Sequence, residues 1–311
     1  MHRFSGIIPP LCTPLTADGR VDEASLRDLI EFQIDAGVSG IFVLGSSGEG
    51  IYLDDEQRYA VVRTATAAVK DRVPLLVGAL APTPRRVIGQ ISLLAALLPT
   101  AYVVTAPFYA QLSPSEIGTH FRQVAQAASA PVLAYDIPGN VGYKLGAEVT
   151  VPLLVEGVIA GLKDSSGDGP AFAAVVRALG DDRQAAVLNG ADTTALEALA
   201  AGADGLIPGL ANIRPDLFVD LFAAWRCGDT ARSATLQRAV ITLNQVFRIG
   251  QRYGLGRHAA EIGALKHALR RRGVITSPAS PNPLAPYPAA AGAAVDAVLA
   301  DVQQQLAAEQ A

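Results

Sequence analysis

The chain has 311 residues, half of them apolar and 17% charged, with a formal net charge of -4. This is a globular composition, far from the polar, highly charged range of disordered chains, and it allows one large domain or two ordinary ones. The mild charge argues against a nucleic-acid partner, since the one dense basic run, Arg270-Arg271-Arg272, suits a helix C-terminus, where cations favour the dipole.

The opening Met1-His-Arg-Phe-Ser-Gly lacks the long apolar core of a signal peptide. From there short apolar runs alternate with longer amphipathic ones. Strands are expected over residues 6–11, 40–44, 75–78, 102–105, 132–135, 158–162, 186–188 and 205–207. Helices are expected over 22–36, 54–70, 84–97, 114–128, 147–155, 169–179, 193–201 and 215–227. Ser113-Pro114 with Glu116 has the spacing of a capping box with proline at the first helical position. Residues 91–106 are the most apolar, but Ser92, Pro99 and Thr100 break them into a helix end and a strand rather than a membrane span. Residues 228–271 read as helix without strands. Residues 273–290, with five prolines, read as an extended connector, and 291–308 as an alanine-rich helix before a frayed end.

The strand runs are apolar throughout rather than alternating, which fits parallel strands covered on both faces. Eight such strand–helix units match an α/β fold of the (β/α)8 barrel type, residues 1–227, with a C-terminal helical region, residues 228–311, packed on it. No Gly-x-Gly-x-x-Gly opens a helix after the first strand, so a dinucleotide site is weakly supported. Cys12 and Cys227 form neither a disulfide framework nor a ligand pair, which fits a reduced, cytoplasmic setting.

Barrel active sites form at the C-terminal ends of the strands. The groups expected there are Gly45-Ser-Ser-Gly-Glu-Gly50, Pro107-Phe-Tyr109, Tyr135-Asp-Ile-Pro-Gly-Asn140, Lys163, Asn189-Gly-Ala-Asp192 and Ile207-Pro-Gly209. Each has a plain structural alternative: a tight turn, a rim tyrosine, a surface ion pair between Lys163 and Asp164. Lys163 nevertheless stands out. It is one of only four lysines, with Lys70, Lys144 and Lys266, in a chain that prefers arginine, and it closes an apolar run. A lysine amine freed of its charge by an apolar setting condenses with a ketone to a Schiff base, which a guanidinium cannot do. Tyr135, one strand over, would move protons. Ser46 and Ser47, with the backbone N–H groups of the turn that includes Gly48, suit a carboxylate. A keto group beside a carboxylate is a 2-oxo acid, pyruvate being the smallest common case.

These residues, in this order, resemble the dihydrodipicolinate synthase / N-acetylneuraminate lyase family of class I aldolases. Gly45-Ser-Ser-Gly-Glu49 resembles its Gly-[Thr/Ser]-[Thr/Ser]-Gly-Glu signature, Tyr135-Asp-Ile-Pro138 its Tyr-x-x-Pro segment, Gly161-Leu-Lys-Asp164 its Schiff-base segment, and Ala264-Leu-Lys-His-Ala-Leu its tail. The resemblance implies that Lys163 forms the imine, Tyr135 shuttles protons, Ser46 belongs to a hydroxyl relay and Ser47 holds the substrate carboxylate. It implies that Tyr109 reaches the relay of a neighbouring subunit and that Gly190 and Ile207 line the pocket. It further implies a homotetramer, a dimer of dimers, with no metal or organic cofactor; charge and hydropathy, as above, argue against a nucleic-acid or membrane partner.

Two departures narrow the substrate. Synthases usually carry Arg where Asn140 stands, and sialic-acid lyases usually carry an acid where Thr193 stands. Asn140, Thr193 and Pro208 would shape the distal pocket. What remains is the sugar-acid branch, acting on 2-keto-3-deoxy or related 4-hydroxy-2-oxo acids by cleavage, condensation or dehydration. Dihydrodipicolinate synthesis is the alternative. A phosphate-binding barrel enzyme, suggested by Gly202-Ala-Asp-Gly205 and Ile207-Pro-Gly209, and a non-catalytic 2-oxo acid binder are further ones. A metal-dependent aldolase would need ligand clusters that His2, His120, His258 and His267 do not make at strand ends.

Overall fold

A computed structural model describes residues 4–281 and 283–308. The start of the N-terminal stretch, with His2, and the last residues expected to fray lie outside the described residues. Strands β1 (Gly6–Ile7), β2 (Ile41–Val43), β3 (Leu75–Gly78), β4 (Ala101–Thr105), β5 (Val132–Asp136), β6 (Gly161–Asp164), β7 (Ala186–Asn189) and β8 (Gly205–Leu206) alternate with helices. These are α1 (Glu23–Asp35), α2 (Asp55–Val69), α3 (Pro84–Leu94), α4 (Pro114–Ala127), α5 (Pro138–Val141), α6 (Ala147–Val155), α7 (Gly169–Leu179), α8 (Ala195–Ala200) and α9 (Pro215–Arg226). Helices α10 (Thr230–Leu243), α11 (Val246–Ile249), α12 (Arg257–Arg271) and α13 (Ala289–Ala308) follow without strands, as expected. None of the described helices is long and apolar enough to cross a membrane.

All eight strands are parallel, in the order β1-β8-β7-β6-β5-β4-β3-β2. The sheet curls. Past β1, the Leu11 N–H donates to Phe42 O at 2.8 Å and the Phe42 N–H to Pro9 O at 3.0 Å, so the two outer edges of the sheet meet. β1 is short because Pro9 and Pro10 have no N–H to give a ladder.

Two apolar layers explain why the strands do not alternate in polarity. Phe4, Ile8, Phe42, Leu76, Val103, Leu133, Leu188 and Ile207 pack inside the curl, with Tyr135 among them. Ile41, Val77, Val104, Ala134, Leu162 and Val187 point outward against the helices. Both faces of each strand are therefore buried.

Local signals set the helix starts. Asp54 and Ser113 close capping boxes with Gln57 and Glu116, each worth about 1 kcal/mol. Arg270 and Arg271 occupy the last turn of α12, as their charge suggests. One expected strand is displaced. Val158 and Ile159 donate to Leu153 O, completing the turn that ends α6, with Gly157 at φ 70°. The apolar run is thus part turn, and β6 starts at Gly161 and contains Lys163 rather than ending before it.

Candidate active site

The inward positions converge at the C-terminal ends of the strands. In the β5–β6 ladder Tyr135 pairs with Lys163 and Asp136 with Asp164. Because side chains alternate, the first pair faces the interior and the second faces the helices. Lys163 is 2% exposed and Tyr135 3%. The Lys163 Nζ lies 3.8 Å from the Tyr135 ring centroid and 5.0 Å from that of Phe42.

This disposes of the surface ion pair as an account of Lys163. Asp164 is engaged elsewhere: it accepts from Lys144 Nζ at 3.2 Å and from the Ser166 N–H at 2.7 Å. Lys144 also pairs with the buried Asp136. Burial pushes the Asp136 carboxyl above its ordinary range against the pull of Lys144. Burial works to lower Lys144, but the two aspartates hold it above the ordinary lysine range. One lysine is thus spent clamping β5 to β6 from outside, while the other, within, makes no ion pair among the described residues.

The Gly45–Gly50 turn is held in a strained shape. Leu44 and Glu49 take left-handed backbone angles, φ 59° and 54°. A Cβ at Gly78 or Gly50 would come within 2.1 or 2.2 Å of the Leu44 carbonyl oxygen, so glycine is required at both. The turn presents Ser46, whose Oγ lies 3.4 Å from the Tyr135 hydroxyl, and Ser47, both at the cavity wall. Gly48 sits behind it, its carbonyl accepting from Thr13 Oγ1 at 2.6 Å.

Beneath the turn is a feature that sequence reasoning did not supply. Glu49 and Lys266 form an ion pair with both side chains 0% exposed, and Lys266 also donates to Ala279 O at 2.7 Å. Burial pushes the Glu49 carboxyl up, while Lys266 and Ser280 pull it down. The same burial drives the neighbouring Cys12 thiol to about 12. The C-terminal region therefore clasps the signature turn from below. The signal was a lysine closing the apolar run Ile262-Gly-Ala-Leu265, which demands a partner.

These groups line a cavity of about 330 Å³. Its walls include Ser46, Ser47, Tyr135, Asn140, Lys163, Gly190 and Ile207, so seven of the nine expected site residues meet there. Gly190 packs directly on the lysine: a Cβ would sit 3.0 Å from Lys163 Cε and 2.1 Å from Ser165 Oγ. Tyr109 is not in this cavity. It is fully exposed, with φ 81°, on the loop after β4.

Four further ionisable residues line the cavity. Asp192, seen at a strand end but given no role, accepts from the Leu210 N–H at 3.0 Å. Burial pushes its carboxyl up to about 6, against the backbone donors of Leu210 and Gly209 and the charge of Lys163. Arg257, His258 and Glu261 come from the first turns of α12. Burial lowers the His258 imidazole and raises the Glu261 carboxyl.

The arrangement offers a buried amine beside a phenol and a hydroxyl, a serine-bearing turn, and a more polar far wall. The chain as a whole resembles known proteins. The model of the dihydrodipicolinate synthetase family matches residues 3–302. "Probable 2-dehydro-3-deoxy-D-pentonate aldolase YjhH" of Escherichia coli strain K12 is 30% identical over 251 residues, covering 80% of this chain and 83% of that protein. A 4-hydroxy-tetrahydrodipicolinate synthase of Anaeromyxobacter dehalogenans strain 2CP-1 is 32% identical over 246 residues, 79% of this chain and 83% of the other. The crystal structure of YagE, a prophage protein of Escherichia coli K12 in complex with pyruvate, superimposes with a TM-score of 0.90 at 29% identity, covering 96% of this chain and 99% of that one. The chain belongs to the dihydrodipicolinate synthetase family.

Proposed function

We propose that the protein is a class I aldolase or lyase that joins Lys163 to a 2-oxo acid as an imine and acts on 2-keto-3-deoxy sugar acids or related 4-hydroxy-2-oxo acids. The observation that carries this reading is Lys163 itself: buried, inward at the register position beside Tyr135, and free of the carboxylates that engage Lys144. The Nζ adds to the keto carbon, and loss of water gives the imine. In cleavage, the bond between C3 and C4 breaks and its electron pair moves into the imine to give an enamine. The Tyr135 oxygen takes the proton of the C4 hydroxyl and passes it on through Ser46. Protonation of C3 and hydrolysis then release pyruvate and free the lysine. Ser47 and the turn around Gly48 hold the substrate carboxylate, Gly190 leaves room for the imine, and Ile207 and Asn140 line the rest.

We extend the reading to the assembly. The curled sheet acts as a closed (β/α)8 barrel over residues 1–227, with residues 228–311 as the helical region packed on it. Tyr109 serves the relay of a neighbouring copy in a homotetramer, which its full exposure and left-handed backbone support. The free Cys12 and Cys227 thiols support a cytoplasmic setting.

The test is pyruvate release from a panel of 2-keto-3-deoxy sugar acids, with water loss followed in parallel. At least one acid is turned over, and Tyr135→Phe lowers kcat about a hundredfold or more. A panel left untouched by both reactions, or a Tyr135→Phe variant at full rate, overturns the assignment. Synthase activity is the second reading, favoured by the 32% identical synthase relative. Condensation of pyruvate with aspartate semialdehyde, faster than any sugar-acid reaction, would select it.

A further inference from the structure

The wall of the cavity that α12 supplies carries a cation that the imine chemistry does not use. Arg257 opens α12, and its Nη2 donates to Asn140 Oδ1 at 2.8 Å and to Gly139 O at 3.1 Å. Arg257 is an exposed residue whose guanidinium lies on Gly139. A Cβ at position 139 would lie 3.1 Å from Arg257 Nη1 and 3.3 Å from Nη2, so the glycine lets the guanidinium lie close against the backbone. Both acceptors are neutral, and both are on the segment that follows Tyr135. Among the described residues no carboxylate is within ion-pair distance of Arg257, although Asp192 and Glu261 line the same cavity.

Holding a guanidinium by one nitrogen with two neutral acceptors sets its plane and leaves the other N–H groups to bind an acceptor. The cavity runs from Lys163 to this cation. An extended 2-oxo acid bound as an imine at its keto end, with its own carboxylate at Ser47, would bring its other end toward Arg257. A planar carboxylate matches the remaining fork.

We infer that Arg257 is a specificity-determining residue, and that the site prefers 2-oxo acids bearing a second carboxylate at the far end of the chain. The inference rests on the reading of Lys163 as the imine-forming residue and names the substrate class for it.

The experiment needs no turnover. The protein is incubated with 2-oxoadipate or with 2-oxohexanoate, which has the same chain length and an uncharged end. Borohydride traps the imine, and intact mass gives the concentration for half-maximal labelling; 2-oxoglutarate and 2-oxopentanoate repeat the comparison one carbon shorter. In the better-fitting pair the diacid half-saturates at about tenfold lower concentration, the lower range of a charge-assisted hydrogen bond. Arg257→Gln brings the ratio to near one, and Arg257→Lys, which keeps the charge without the fork, restores part of it. A parent protein that labels both acids of each pair alike overturns the inference, as does an Arg257→Gln variant with the parental ratio. Pyruvate labelling runs alongside. Its failure in the parent brings down the reading of Lys163, whereas pyruvate labelling with no diacid preference brings down only the assignment of Arg257.

Discussion

Replacing Lys266 by methionine removes an ammonium while keeping an unbranched stem in the same space. It leaves Glu49 buried without its partner, in a site where both side chains are 0% exposed, and it frees the carbonyl of Ala279. Breaking one side of a buried pair costs about 3 to 5 kcal/mol, most of it the penalty of the charge left behind. The pH dependence has a definite sign. Without Lys266, burial holds the Glu49 carboxyl further above its unfolded value of 4.5. A raised carboxyl destabilises the fold as pH climbs past the unfolded value, so the defect is larger at pH 7 than at pH 5. Glu49→Gln alone strands the ammonium instead, and the double variant strands neither charge. The double variant should therefore lose less than the two single losses combined, by about 2 kcal/mol or more. Urea unfolding of the four proteins at both pH values measures this. Because Glu49 belongs to the turn that presents Ser46 and Ser47, the single variants should also lose activity under conditions where they remain folded. Single losses that simply add, with no dependence on pH, would refute the claim that this pair acts as one buried unit.

Further tests follow from the cavity wall. Asp192 has a carboxyl raised to about 6 from 3.8, so its burden on the fold is absent below 3.8 and grows as pH rises toward 6, to a ceiling of about 3 kcal/mol. Asn at this position does not titrate. The stability of Asp192→Asn relative to the parent should therefore rise between pH 4 and pH 7 in denaturant melts, and a flat difference would contradict the assignment. Gly190→Ala places a methyl 2.1 Å from Ser165 Oγ and 3.0 Å from Lys163 Cε. Overpacking of this kind costs about 1 to 3 kcal/mol. Adding Ser165→Ala should recover much of the thermal stability but not the rate of imine trapping, since the lysine stays displaced; parental trapping in Gly190→Ala alone would show that the lysine does not need that space.

Much of the site could be read before the fold was seen, for a physical reason. Parallel strands hide both faces, so a polar residue at the end of an apolar run stands out, and Lys163, Tyr135 and the Ser46–Ser47 turn all stand out in this way. Alternation along each strand then separates Lys163 from Asp164 and Tyr135 from Asp136 without further information. The limit of β6 was harder, because the turn closing α6 is as apolar as the strand and only its hydrogen bonds divide them. Arg257, His258 and Glu261 were not legible for a different reason. They lie on one face at the start of a helix nearly a hundred residues beyond Lys163, where polar residues ordinarily meet water, and only the packing of α12 over the strand ends turns them into cavity wall. Glu49 and Lys266 each broke an apolar context, but nothing local joins two residues so far apart in the chain.

The central claim is that the amine of Lys163 bonds covalently to the keto carbon of a 2-oxo acid. Incubation with pyruvate, reduction with borohydride and peptide mass mapping test it directly. The account predicts one N-carboxyethyl adduct, on the peptide holding Lys163, with Lys144 and Lys266 unmodified in their ion pairs and Lys163→Ala unlabelled and inactive. A parent protein that turns over substrate with Lys163 unlabelled, or a Lys163→Ala variant that keeps its rate, would contradict it.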